Sequence, residues 1–232
     1  MSDTEIGQDT VKRLVKDIKQ VLKSDISKDG IYYKHDETNM LLGYALIIGP
    51  DDTPYEFGNF LFRFEFPKDY PYTPPKVSYL TNDGKTRFHP NLYKNEKVCL
   101  SLLNTWKGEG WTSCQTIMSV LLTIQSIMDN KPLLHEPGLT ETHIDFNTYN
   151  EIVKYRTIQI AIARILTKTI YPEITDMFWS EIIDNFKKNY NKIIEKLPDN
   201  DNRELRTCVY GMNCIVNYTK SKDIFKKTIK AY

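Results

Sequence analysis

Phe60-Leu-Phe-Arg-Phe-Glu-Phe66, followed at once by Pro67-Lys-Asp-Tyr-Pro-Tyr-Thr-Pro-Pro75, decides how the chain is read. Phe60, Phe62, Phe64 and Phe66 alternate with Leu61, Arg63 and Glu65, the period-two pattern of a half-buried strand. Pro71, Pro74 and Pro75 cannot lie inside a helix and fix a stiff, extended loop. Upstream, residues 41–48 are apolar and become β-branched, and Gly49-Pro-Asp-Asp-Thr-Pro54 is a turn. Two strands joined this way make an antiparallel hairpin. A further strand covers about residues 76–80.

Outside the strands the period changes. Asp9 or Thr10 can cap a helix running to about Lys23, with Val11, Leu14, Val15, Ile18 and Leu22 on one face. Lys12, Arg13, Lys16, Lys19 and Lys23 lie largely off that face, either as a solvated surface or as a docking surface for an acidic partner. Helical spacing returns at Ile117, Val120, Leu121, Ile124, Ile127 and Met128, again over about 149–166, and after Pro172 over 173–197. In that last stretch Ile174, Met177, Phe178, Ile182, Phe186, Tyr190, Ile193 and Leu197 form a stripe too apolar to face water. It must bury against the chain's own core or against a partner. Beyond Pro198 the tail reads as weakly helical at best, ending in a basic stretch.

Composition narrows the class. The 232 residues are 41% hydrophobic and 26% charged, values of an ordinary globular chain. Lys+Arg 31 against Asp+Glu 30 leaves a net charge of +1, which argues against a dedicated nucleic-acid binder. Four cysteines are too few for a disulfide scaffold and suggest free thiols in a reducing compartment, the cytoplasm or the nucleus. Met1-Ser-Asp-Thr-Glu5 does not read as a signal peptide, and no apolar run is long enough to suggest a membrane span.

Residues 83–111 have little periodicity and hold the densest set of His, Asn, Cys and Trp; so long an irregular segment is usually functional. Cys99 is the candidate nucleophile, because a thiolate attacks acyl groups well near neutral pH. Three readings compete. A zinc site needs four clustered ligands, and His89, Cys99 and Cys114 lack the short paired spacings. A thiol protease needs Cys, His and Asn; all three types are present, but the His precedes the Cys and the local signature is missing. The third is a thioester carrier with no general-base His.

Gly49-Pro-Asp-Asp-Thr-Pro-Tyr-Glu-Phe-Gly58, Phe66-Pro-Lys-Asp-Tyr-Pro-Tyr-Thr-Pro-Pro-Lys-Val77, His89-Pro-Asn91 and Cys99-Leu-Ser-Leu-Leu103, in this order, resemble the ubiquitin-conjugating enzymes over roughly residues 9–168. Gly108-Glu-Gly-Trp-Thr-Ser-Cys-Gln115, Glu136-Pro-Gly138 and Tyr149-Asn-Glu-Ile-Val-Lys-Tyr-Arg156 place the likeness nearest the Z-type members, which also extend beyond the core domain. The resemblance implies an α+β fold: a four-stranded antiparallel meander flanked by helices, with a conjugating core at 1–168 and a C-terminal helical extension at 169–232.

It also implies a chemistry. Cys99 would accept ubiquitin, or a ubiquitin-like modifier, from an activating enzyme as a thioester, and a substrate lysine would attack that thioester. No cofactor is implied for this chain, since ATP is used by the upstream activating enzyme. Asn91 matches the family Asn that stabilises the oxyanion or holds the loop; His89 is structural, and Pro90 stiffens the turn. Glu136 matches an acidic residue beside the Cys; its charge keeps a lysine protonated, so it helps only by positioning the lysine or taking its proton. Lys12, Arg13 and Lys16 match the activating-enzyme face. Tyr72, with Ser113 and Cys114, matches the ligase contact, although Trp111-Thr-Ser-Cys114 stands where many members read Trp-Ser-Pro-Ala. That departure puts ordinary RING-type ligase docking in doubt. Protein substrates, ubiquitin and ligases are the implied partners, with no nucleic acid and no membrane. A modifier-binding variant without catalysis is the rival from another class, and such variants typically lack the Cys.

Overall fold

The computed structural model describes residues 6–199 and 201–232. The signal-peptide expectation concerns Met1–Glu5 and lies outside the described residues.

Strands β1 (Ile31–His35), β2 (Leu42–Ile48), β3 (Asn59–Glu65) and β4 (Lys76–Tyr79) form one antiparallel sheet in chain order. The register sets Ile31, Ile47 and Phe60 side by side, then Tyr33, Ala45 and Phe62. The alternation seen in the sequence therefore becomes one continuous apolar face, and Phe60, Phe62 and Phe64 are fully buried. Rings of Phe60 and Phe62 pack on Tyr79 with centroids 6.4 and 5.5 Å away. The turn between β2 and β3 closes through the Gly49 amide donating to the Gly58 carbonyl at 2.9 Å. Gly49 has no room for a side chain: a Cβ there would lie 1.8 Å from the Tyr55 carbonyl oxygen. β1 escaped the pattern reading, because Ile-Tyr-Tyr-Lys-His has no clean alternation until β2 is beside it.

Helix α1 (Gln8–Lys23) packs against α2 (Ile117–Ser126), whose first turn carries a reciprocal cap between Thr116 and Ser119. The expected cap of α1 is corrected. Gly7 occupies the N-cap with no side-chain bond, and the Thr10 hydroxyl donates instead to the Lys68 carbonyl at 2.8 Å. A tertiary acceptor has taken the hydroxyl that would have capped the helix. Helix α3 (Phe146–Arg156) runs on as a π-helical stretch, Thr157–Arg164. None of the helices among the described residues is long and apolar enough to cross a membrane.

The sheet's other face carries Tyr32, Lys34, Tyr44, Leu46 and Leu61, and Leu46 and Leu61 are fully buried. Helices α4 (Pro172–Met177) and α5 (Trp179–Glu195) supply the cover. Lys34 donates to the Met177 carbonyl at 2.7 Å and pairs with Glu181 at 2.8 Å, while its ammonium sits 5.1 Å from the Phe178 ring centroid. Asn185 donates to the Phe57 carbonyl at 3.2 Å. Pro172 opens α4 at a position where its missing donor costs nothing. Every residue of the apolar stripe lies in the core or against it. The single helix read over 173–197 is two, because Phe178 leaves helical geometry (φ −106°, ψ 19°) and turns its ring into the core.

The tail departs further from its reading. Strands β5 (Glu204–Arg206) and β6 (Asn213–Ile215) form a small hairpin, and α6 (Thr219–Ala231) is a regular helix. Phe225 anchors α6, fully buried, with its ring 5.5 Å from Phe186. The basic residues Lys226, Lys227 and Lys230 lie on its exposed side.

Candidate active site

Apart from a short 3₁₀ turn at Ser101–Leu103, the 83–111 segment is irregular as expected, and it hangs from the edge of the sheet. The Tyr79 amide of β4 donates to the Glu96 carbonyl at 2.7 Å, and Leu92 bridges Val98. This narrow loop delivers Cys99 directly after Val98.

Cys99 and Asn91 are bonded in both directions. The Cys99 amide donates to the Asn91 carbonyl at 2.9 Å, and the Asn91 side-chain amide donates to the Cys99 carbonyl at 2.5 Å. Asn91 thus holds the nucleophile's backbone here. Cys99 is 2% exposed, so an acyl partner reaches its sulfur only when neighbouring side chains give way. Thr105 braces the far side: its hydroxyl accepts from the Leu100 amide at 2.9 Å and lies 2.9 Å from the Val98 carbonyl. Cys114 and Cys208 are exposed; Cys214 is buried, and that burial pushes its thiol up.

His89 is fully buried, and its Nδ1 accepts the Asn91 amide at 3.0 Å. The ring proton therefore resides on Nε2. Desolvation first, then His135 and Arg87, hold the imidazole well below its ordinary pKa, so it is neutral. A ring so engaged orders the turn and is no base for Cys99. Its centroid lies 4.7 Å from that of His135, which pairs with Asp129 at 2.8 Å. Arg87 fixes the turn from outside, donating to the carbonyls of His89 at 3.1 Å and Pro90 at 2.6 Å. Among the described residues no group of three or more His, Cys, Asp or Glu converges as a metal site would.

The partner-facing residues divide. Lys12 and Lys16 are exposed. Arg13 is not free: it pairs with buried Asp17 at 2.9 Å and donates to the Ser113 carbonyl at 2.6 Å and to the Gln115 carbonyl. Its planar fork suits adjacent acceptors, which removes it from the expected docking set. Asp17 also accepts from the Tyr70 hydroxyl, and the Trp111 indole donates to the Pro71 carbonyl at 2.6 Å. One network therefore ties α1, the proline loop and the 111–115 loop together. Tyr72 stands 76% exposed on it, with Ser113 and Cys114 also exposed.

Glu136 follows the short 3₁₀ turn Pro132–His135 and accepts a hydrogen bond from the Tyr210 hydroxyl. Tyr210 belongs to the turn between β5 and β6, so the extension reaches the candidate site. Sequence reasoning missed Tyr210, Arg87, Thr105 and Asp145. The Tyr210-Gly211 pair is a turn signal, but nothing in the sequence says where the turn docks.

Residues 13–159 match the family model described as ubiquitin-conjugating enzyme. The chain is 41% identical over 189 residues to ubiquitin-conjugating enzyme E2 Z of Danio rerio, covering 80% of this chain and 56% of that protein. To the Homo sapiens E2 Z it is 44% identical over 157 residues, covering 66% and 44%. The chain thus spans about half the length of the curated relatives it matches. A crystal structure from Plasmodium yoelii, assigned as a ubiquitin conjugating enzyme, superposes with a TM-score of 0.53 at 25% identity, over 67% of this chain and 97% of that one.

Proposed function

Since this chain belongs to the ubiquitin-conjugating enzyme family, we propose that it carries ubiquitin, or a ubiquitin-like modifier, as a thioester on Cys99 and passes it to a substrate lysine. The observation that carries this reading is the two-way bond between Cys99 and Asn91, beside a His89 that cannot serve as a base. A thiol protease needs the opposite arrangement, with an accessible imidazole bonded to the thiol.

Each step exchanges one acyl bond for another. The Cys99 thiolate attacks the carbonyl of the modifier held on the activating enzyme, and the departing group is that enzyme's thiolate. Next, a lysine amine attacks the Cys99 thioester, loses a proton and expels the Cys99 thiolate, leaving an isopeptide bond. ATP enters only upstream, at the activating enzyme, and this chain needs no cofactor. The Asn91 amide holds the main chain of Cys99 so that the carbonyl meets its attacker in one geometry. Lys12 and Lys16 serve activating-enzyme docking, and Tyr72 with the 113–114 loop serves a ligase. Residues 1–168 act as the conjugating core and 169–232 as the extension, in a reducing compartment, cytoplasm or nucleus, where the four thiols stay free.

Incubation with activating enzyme, ATP and ubiquitin, read on a non-reducing gel, tests the reading. A thiol-sensitive adduct is expected, absent in Cys99→Ala and replaced in Cys99→Ser by a slower, reductant-resistant ester. An adduct that persists in Cys99→Ala sinks the assignment.

A further inference from the structure

The turn between β5 and β6 is built to place one side chain. Tyr210 has φ 62° and Gly211 φ 56°. An aromatic residue pays a conformational penalty in the left-handed region and stays there only when its surroundings hold it. They do so from several directions. The Val209 amide donates to Asp145 Oδ2 at 2.7 Å, the Arg87 amide to the Met212 sulfur at 3.3 Å, and Lys94 Nζ to the Tyr210 carbonyl at 3.3 Å. The Tyr210 ring lies 4.9 Å from the Arg87 guanidinium and 6.0 Å from the Tyr149 ring. Arg87 is the same residue that fixes the His89-Pro90 turn, and Glu136 follows the short turn whose His135 ring packs on His89. The hydroxyl at the end of this assembly donates to Glu136 Oε2, while Oε1 takes no hydrogen bond among the described residues.

We propose that Tyr210 is a positioning residue for lysine transfer, holding the Glu136 carboxylate so that its free oxygen meets the ammonium of the incoming lysine. The C-terminal extension thereby completes the site on the conjugating core. The inference rests on the reading of Cys99 as the thioester residue. Glu136 precedes Pro137 and Gly138, the latter at φ 84°, and the phenol fixes the carboxylate orientation from outside that loop. Burial, then the Glu136 carboxylate, push the Tyr210 phenol above its ordinary pKa, so it remains a donor through the neutral range. A carboxylate fixed in this way gathers the lysine as its ammonium and takes the proton that leaves so that the neutral amine can attack; it offers little to a nucleophile that arrives uncharged.

The two nucleophile types supply the test. Full-length protein is charged with ubiquitin, the activating enzyme is quenched, and discharge is followed with free lysine, which arrives as an ammonium, or with hydroxylamine, which arrives uncharged. Tyr210→Phe keeps the ring contacts and deletes only the donor. It is expected to lower kcat/KM for lysine roughly 5–10-fold, mainly through a higher lysine KM, the size of effect that loss of one ordinary net hydrogen bond implies. Hydroxylamine discharge should fall about twofold at most. In a Glu136→Gln background the same change should add almost nothing, because the two side chains act as one unit. Equal slowing of both nucleophiles, or a full additional effect in that background, overturns the proposal and leaves Tyr210 an anchor of the extension. Unchanged lysine discharge overturns it as well. A wild-type chain that never charges at Cys99 would instead refute the underlying assignment, which the gel assay reads separately.

Discussion

The catalytic segment and the C-terminal extension are both mostly covered, yet they are held in opposite ways. The 87–105 segment is braced by its own side chains: Arg87 on the His89 and Pro90 carbonyls, Asn91 on Cys99, Thr105 on Leu100. The extension borrows its order. Phe178 needs the sheet, Tyr218 needs Tyr155, and Val209 needs Asp145. A region that carries its own bonds can keep its shape when neighbours are removed, whereas one that borrows them cannot. Reactivity at Cys99 should therefore outlast the extension, and lysine selectivity should not.

Truncation after Thr169 tests this contrast most severely. It returns Leu46 and Leu61 to water at about 1.5–3 kcal/mol each, which for a chain of this size lowers the melting midpoint by roughly 10–20 °C. Below the new midpoint Cys99 should still charge. A truncated protein that melts with the full chain would mean the stripe is not intramolecular, and one that folds but cannot charge would mean the catalytic segment borrows its order too. Next in size is Thr105→Val, which strips a partner from the Leu100 amide. A loss of about 1–3 kcal/mol is expected by denaturant titration, together with slower charging. No change in either would remove Thr105 from the bracing.

A smaller effect should come from His89 and appear only on acidification. Its folded pKa lies well below the unfolded value near 6.5, so the unfolded chain binds the extra proton. Its contribution to stability is full above pH 6.5 and declines as pH falls below that value, by at most about 1.4 kcal/mol per pH unit. His89→Asn should flatten that slope between pH 6.5 and 5, whatever it does to the midpoint at pH 7.5. Parallel slopes would show that the ring is not the group responsible. Smallest is Lys12→Glu with Lys16→Glu, which touches neither set of braces. Stability should stay within about 0.5 kcal/mol, while charging slows and loses salt sensitivity. Arg13 is left out of this pair because its loss would break the network on Asp17, Ser113 and Gln115.

Legibility in the sequence followed the same division. Where order is local, the letters carry it: the Phe60–Phe66 alternation, the 117–128 periodicity, and the order and spacing of His89-Pro-Asn91 and Cys99. Where order is borrowed, they do not. Ile31-Tyr-Tyr-Lys-His looks like a strand only once Ala45 and Phe62 are alongside. Arg13 reads as one cation among five until the 113–115 carbonyls meet its fork. The tail reads as poorly helical because Phe225 stands among lysines, and a reason to be buried comes from Phe186, far from it in sequence. Tyr210 carries no signal for the site it reaches, since its role is set by a docking geometry spread over Arg87, Asp145 and Glu136.

The two-sided sheet has a consequence for the chain as it is made. β1 to β4 are complete by Tyr79, but the cover for Leu46 and Leu61 is not translated until α4 and α5. At ordinary elongation rates of about 5–20 residues per second, that delay is on the order of ten seconds. During that interval the nascent sheet carries an apolar face awaiting residues not yet made, a period in which a chaperone, or the speed of the codons between β4 and α5, would decide how much of the chain folds rather than aggregates.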